Sequence, residues 1–210
     1  MAKGAAMAPR GNYPMYCKTG LCGWNLSRYL LTLLCVLGAL CGYSKADDPC
    51  RSGLQPGQRP GPYSAIIATG PERGQSYCYV CETGDRPAVI IFARTLSEPL
   101  AQLARGIDKA VADRQSVGLR GWITFLNDDQ VRFDPQAAQW AKDHAIRHLP
   151  LGVFEDAGGP PSYRLSRDAD VTVLLFVKRQ VVANFAFRAG ELKKQEVSEV
   201  MKSLHGIVKE

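Results

Sequence analysis

The sequence lacks an apolar run long enough to cross a membrane as a helix. Its apolar stretch, residues 29–41 (YLLTLLCVLGALC), is shorter than the roughly 20 residues that a spanning helix needs. Arg28 precedes this stretch and residues 44–46 (SKA) follow it, which is the pattern of a secretory signal. We therefore expect residues 1–46 to be a signal peptide with a long n-region. The alternative is an uncleaved N-terminal membrane anchor.

The segment 1–46 also lacks acidic residues. The net charge of the whole chain is therefore more positive than that of the domain that follows the segment. The chain has 26 basic and 20 acidic residues and a net charge of +6. Five of the basic residues lie in the predicted signal, so 21 basic residues face 20 acidic ones beyond it. A net charge near +1 removes the electrostatic basis for binding nucleic acid. We expect an exported chain, periplasmic or extracellular, whose mature domain is not embedded in a membrane.

Cysteines are few beyond residue 46, where only Cys50, Cys78 and Cys81 remain. An oxidising space favours a disulfide over free thiols. Cys78 and Cys81 form a CxxC pair (CYVC), and a bridge between them, leaving Cys50 free, is the simplest arrangement. A bridge from Cys50 to one of the pair is the alternative.

Metal ligands at a recognisable spacing are lacking as well. A single CxxC pair supplies two ligands, whereas a structural zinc ion needs four. No spacing connects the pair to Cys50 or to the three histidines, His144, His148 and His205. We therefore expect no metal and no cofactor.

The part of the chain after the signal contains an arm and one domain. Residues 47–62 (DDPCRSGLQPGQRPGP) are polar and rich in proline and glycine, which predicts a flexible arm, extended or poorly ordered. Residues 63–210 are predicted to form one domain. It opens with a hairpin (63–69 and 76–80) and continues as β-α-β-α-β, β-β-α. The later predicted strands are 87–93, 119–126, 148–155, 171–177 and 181–187, and the helices begin near Ser97, Asp134 and Glu191.

Strands that alternate with helices imply a parallel section of sheet with helices on both faces. The last two strands add an antiparallel edge. Three segments then resemble known sequences: LQPGQRPGPYSAI is similar to the lead-in of redoxins, TGDRPAVIIFAR to their central strand, and VTVLLFVKRQVVANFAFRAGEL to the closing hairpin and helix of thioredoxins. Residues 54–205 thus resemble the thioredoxin-like superfamily, in its redoxin or peroxiredoxin-like group. The resemblance implies a three-layer α/β/α fold with a mixed central sheet, extended here by an N-terminal β-hairpin.

The resemblance does not extend to the family's active site. Thioredoxins and redoxins carry the reactive cysteine just after the central strand, but residues 94–99 (RTLSEP) contain none. Thioredoxins place a proline before the first strand of the closing hairpin, where this chain has Asp170 and Val171. Cys78 and Cys81 instead precede the central strand. The central strand, with about six residues at roughly 3.3 Å each, separates them from the usual active face by on the order of 20 Å.

Two interpretations of Cys78 and Cys81 therefore stay open, with a metal site as a weaker third. The pair is either a structural disulfide or a redox-active dithiol that exchanges with protein thiols and disulfides. By analogy with other CxxC dithiols, Cys78 would be the attacking thiol and Cys81 the resolving one. Tyr77 and Tyr79 could screen the pair, and the nearby Arg73 or Arg86 could lower a thiol pKa. A binding or structural module without chemistry is the alternative function.

Overall fold

The structure is a computed structural model that describes residues 48–208. The predicted signal peptide lies outside the described residues, and so do the last two positions of the predicted domain. Within the described part of the chain, no helix is long and apolar enough to cross a membrane.

A single seven-stranded mixed sheet organises the domain, in the order β2-β1-β5-β4-β3-β6-β7. The strand β3 is central: it pairs in parallel with β4 and antiparallel with β6. All its residues are buried, as its continuous apolar sequence predicts. The strands are β1 Ala65–Ile67, β2 Ser76–Tyr77, β3 Ala88–Ala93, β4 Arg120–Leu126, β5 Leu151–Phe154, β6 Val171–Val177 and β7 Gln180–Phe187.

Within residues 48–208, four α-helices accompany the sheet: α1 Tyr79–Thr83, α2 Glu98–Asp113, α3 Gln130–Asp143 and α4 Lys194–Ile207. The predicted cap of α2 is confirmed, since the Ser97 hydroxyl accepts a hydrogen bond from the amide of Leu100. The helix predicted to start at Asp134 starts four residues earlier. The Asp129 carboxylate caps it by accepting from the Arg132 amide at 3.1 Å, and Pro135 lies inside it.

The two faces of the sheet are covered differently. The three long helices contribute to one buried cluster on the first face, with Leu103, Trp140 and Leu204 among its members. The second face is covered by the five-residue α1, a short 3-10 turn at Pro161–Tyr163 and the N-terminal arm. The mixed sheet and the α/β class are confirmed, but the second layer contains far less helix than the first.

The N-terminal arm is irregular in residues 48–62, with a turn from Gln55 to Gln58, and hydrogen bonds join it to β7 at the edge of the sheet. The amide of Gly57 donates to the carbonyl of Val181 at 2.8 Å, and the Val181 amide donates to the carbonyl of Gln58 at 2.9 Å. The Asn184 amide group donates to the carbonyls of Ser52 and Leu54. The composition of the arm suggested disorder. It could not show these hydrogen bonds, because the partners lie more than 120 residues away in the sequence.

Candidate functional site

Cys78 and Cys81 form the disulfide that the sequence predicts. The S–S distance is 2.09 Å and the Cα–Cα distance is 5.4 Å. Cys50 is the free cysteine of the described residues. The bridge therefore joins the two cysteines of the CxxC motif, and the alternative pairing through Cys50 is not formed.

The bridge lies at the start of a helix, which the sequence interpretation missed. Residues 76–80 were expected to form one short strand, but β2 ends at Tyr77 and α1 begins at Tyr79. Cys78 caps this helix in an extended conformation, and its Sγ accepts a hydrogen bond from the amide of Cys81 at 3.2 Å. Gly84 ends the helix with a φ of 62°, a conformation that favours glycine. A helix this short shows no hydrophobic period in sequence.

Two arginines, Arg86 and Arg120, bond to this short helix. The Arg86 guanidinium donates to the carbonyls of Glu82 and Thr83 at the end of α1. Arg120 forms an ion pair with Glu82 at 2.8 Å. Arg73, the other arginine considered from sequence, donates to the Ala68 carbonyl and lies 3.8 Å from Asp134.

The tyrosines beside the cysteines are bonded to acidic residues. The Tyr79 hydroxyl donates to Glu72 at 2.8 Å, and that of Tyr77 donates to Glu82 at 3.0 Å. Burial, and then the hydrogen bond to Glu72, raise the pKa of Tyr79 far above its ordinary value. The ring of Tyr79 also packs on Trp122, with centroids 5.6 Å apart. These contacts join the disulfide-bearing helix to the indole of Trp122.

A groove opens beside one of the two sulfur-bearing residues. Cys81 is exposed and lines the groove, whereas Cys78 is half-buried and does not. The volume of the groove is about 170 Å³. The other principal lining residues come from three distant segments: Pro60, Pro62, Val80, Phe176 and Arg179.

The opposite end of the sheet, where related folds carry their reactive cysteine, has a different chemistry. The Thr95 hydroxyl follows β3 and donates to both carboxylate oxygens of Asp170, at 2.9 and 2.8 Å. Asp170 stands where thioredoxins have their proline. A hydroxyl–carboxylate contact therefore lies at this end of β3, and residues 94–99 contain no cysteine.

Arg94 closes this end of the sheet further. Its Nε donates to the Ala169 carbonyl at 2.8 Å, its Nη2 donates to that of Ser166 at 3.1 Å, and its Nη1 donates to that of Ala157. Burial lowers the pKa of Arg94 from its ordinary value. The guanidinium thereby fixes the loop between β5 and β6 over the end of the central strand.

The free thiol of Cys50 lies near charged residues of a different region. Asp168, Arg188 and Glu191 interact with it electrostatically. Burial raises the pKa of the Cys50 thiol, and the positive charge of Arg188 offsets this only in part. Within residues 48–208, no three His, Cys, Asp or Glu side chains come together to hold a metal ion.

We expect Cys50 to react slowly with alkylating reagents, because a raised pKa leaves little of the reactive thiolate near neutral pH. The measurement uses the full chain with serine at positions 17, 22, 35 and 41 and the disulfide intact. Iodoacetamide should modify one thiol, several-fold more slowly than it modifies glutathione, and urea should abolish the difference. A folded protein that reacts as fast as glutathione would contradict the raised pKa.

Comparisons with known proteins agree on the fold. No protein-family model matches the chain, and no curated protein matches it by sequence. Solved structures do match. A candidate protein disulfide isomerase from Bacteroides thetaiotaomicron is 14% identical with a TM-score of 0.58, over 77% of this chain and 96% of that one.

Two further solved structures are similar over nearly their whole length. A candidate thiol:disulfide interchange protein DsbE from Chlorobium tepidum is 13% identical, with a TM-score of 0.52 over 72% of this chain and 99% of that one. The peroxidoxin BcpB from Mycobacterium tuberculosis is 14% identical, with a TM-score of 0.51 over 73% and 98%. The chain therefore has the thioredoxin-like fold that its sequence resembles. At these identities the likeness establishes the fold alone.

Proposed function

We propose that this protein carries out thiol–disulfide exchange with protein thiols and disulfides through Cys78 and Cys81. The observation that carries the proposal is the position of the bridge: it is at the surface, and Cys81 lines a groove. A bridge that served only to stabilise the fold would gain nothing from access to a partner. It would also contribute little, since closing so short a loop stabilises a protein by about 2 kcal/mol or less.

The local geometry suits reversible exchange. When the bridge is reduced, the Cys81 amide at 3.2 Å from the Cys78 Sγ can stabilise a thiolate there. Thiolates, and not thiols, are the species that attack disulfides. Solved structures with thiol–disulfide names share the fold, which is compatible with this chemistry without assigning it.

The alternative function is a binding or structural module with a permanent disulfide. Two observations at the end of β3 favour this alternative. Residues 94–99 have no cysteine where this fold usually carries its reactive cysteine, and the Thr95 hydroxyl there is hydrogen-bonded to Asp170. Under this alternative the groove could bind a partner without any exchange of sulfur.

We also propose that the domain is exported. The signal-like segment 1–46 would deliver the domain to an oxidising compartment, where a surface disulfide persists in the absence of a reductant. In that compartment the oxidised pair could accept electrons from protein thiols.

The rate of exchange with a small dithiol separates the two functions. We expect dithiothreitol to reduce the Cys78–Cys81 bridge of the folded protein within minutes, because Cys81 is exposed. Alkylation and mass measurement of the tryptic peptide 74–94 follow the reaction. The Cys50→Ser variant is the matched control and should react at the same rate. A bridge that opens only under unfolding conditions would support the structural alternative.

A further inference from the structure

The two sulfurs of the bridge have different surroundings, although both lie at the start of α1, with Cys78 as its cap and Cys81 within it. Cys81 is exposed and faces the groove, whereas Cys78 is half-buried. The Cys78 Sγ accepts a hydrogen bond from the Cys81 amide. The residue Cys81 is therefore accessible from the groove, and the sulfur of Cys78 is placed to accept negative charge.

We propose that a partner thiolate attacks Cys81 and that Cys78 is the leaving sulfur, which reverses the order taken by analogy from other CxxC dithiols. The proposal rests on the exchange function proposed above. The groove beside Cys81 then selects the partner, which is a polypeptide with an apolar residue next to its cysteine.

The chemistry of the step balances. The partner thiolate forms a new S–S bond with the Sγ of Cys81, and the bond between Cys81 and Cys78 breaks. Its electron pair leaves on the Sγ of Cys78, which then takes a proton from water. A second thiolate of the partner attacks the partner's own sulfur and releases Cys81. The partner loses two electrons, and the Cys78–Cys81 pair gains them.

The contact from the Cys81 amide decides which sulfur leaves. A leaving thiol of lower pKa leaves faster, and a hydrogen bond to the charged form lowers the pKa. The Sγ of Cys78 has such a donor at 3.2 Å. Attack at Cys78 would instead bring the partner to the half-buried residue, which does not line the groove.

The lining of the groove indicates the partner's chemistry. Val80, Pro60 and Pro62 supply the apolar surface of the groove, since Phe176 is only 1% exposed. The ring nitrogens of the two prolines carry no hydrogen to donate. The charged residue of the lining is Arg179, whose Nε lies 3.1 Å from the Asp85 carboxylate. No acidic residue lines the groove, and the neighbouring Asp85 carboxylate is already paired with Arg179, so a basic side chain beside the partner's cysteine would find no unpaired countercharge there.

Trapping of the mixed disulfide tests the assignment. The probe is a peptide with the sequence Gly-Val-Cys-Val-Gly, added to oxidised full-length protein with serine at positions 17, 22, 35, 41 and 50. Early samples are quenched with iodoacetamide, and the tryptic peptide 74–94 is sequenced by mass spectrometry. We expect the probe on Cys81 and the alkyl group on Cys78, in at least about tenfold excess over the reverse.

The outcomes separate this assignment from the exchange function itself. Probe found mainly on Cys78 would overturn the assignment while leaving exchange intact. No mixed disulfide at either sulfur, together with a bridge that dithiothreitol does not open, would overturn both.

The groove is tested with a matched pair of variants. Val80→Ser should slow the reaction with the apolar probe about fivefold, because one apolar contact is lost. Val182→Ser makes the same change on β7, at a residue that is 45% exposed and outside the groove, and should leave the rate unchanged. In each variant the rate with the probe is divided by the rate of reduction by dithiothreitol, so that any change at the disulfide itself is corrected for. If the two variants react alike with the probe, the groove does not select the partner.

Discussion

Replacing Cys78 and Cys81 together by serine should abolish thiol–disulfide exchange and leave the fold in place. We expect the exchange rate to fall at least about a hundredfold, because Cys50, the remaining cysteine of the described residues, is a half-buried thiol with a raised pKa. Stability should fall by about 2 kcal/mol or less, since the bridge closes a very short loop.

Two measurements check this prediction: the reaction of the reduced protein with glutathione disulfide, and unfolding in urea. Every chain compared also carries Cys17→Ser, Cys22→Ser, Cys35→Ser and Cys41→Ser, so that no thiol of residues 1–46 contributes. The Cys50→Ser variant is the control and should keep the wild-type exchange rate. Exchange that survives in the double variant would place the chemistry elsewhere. A loss of stability of about 4 kcal/mol or more would show instead that the bridge is mainly structural.

Replacing Arg94 by methionine should destabilise the protein by about 3 kcal/mol. The three carbonyls of Ala157, Ser166 and Ala169 would lose a charged donor, and hydrogen bonds to charged groups contribute about 1.5–3 kcal/mol each without being additive. Methionine keeps much of the length and the apolar contacts of the side chain, so the change reports on the lost hydrogen bonds.

Arg94→Lys is the matched control, because it keeps the charge and loses the planar fork. It should recover only part of the stability, since an ammonium group cannot reproduce three donors in this arrangement. Urea unfolding of both variants measures the difference. Neither change should alter exchange at Cys78 and Cys81, because that pair lies before β3 and Arg94 follows it. An Arg94→Met variant as stable as the wild type would contradict the role of this contact.

Much of the fold could be predicted from sequence because its signals are local and strong. The apolar run at 87–93 predicted the buried central strand, and Ser97 with Pro99 predicted the start of α2. The closing hairpin and the N-terminal hairpin were also predicted. In each case the hydrophobic period or the capping residue lies within the element itself.

The parts of the site that the sequence did not show depend on distant contacts. The groove combines residues near 60, 80 and 176, which only the folded chain brings together. The fixing of the loop by Arg94 joins the end of β3 to carbonyls more than 60 residues away. The helix α1 was missed for a different reason, because five residues with a cysteine cap resemble the continuation of a strand.

The reduction potential of the Cys78–Cys81 pair tests the central claim most directly. It is measured by equilibrating the full chain with glutathione buffers and quantifying the alkylated tryptic peptide 74–94. The exchange function predicts a potential in the range of known protein dithiols, about −270 to −120 mV. A potential below about −300 mV, with slow exchange, would contradict it and identify the bridge as a structural disulfide.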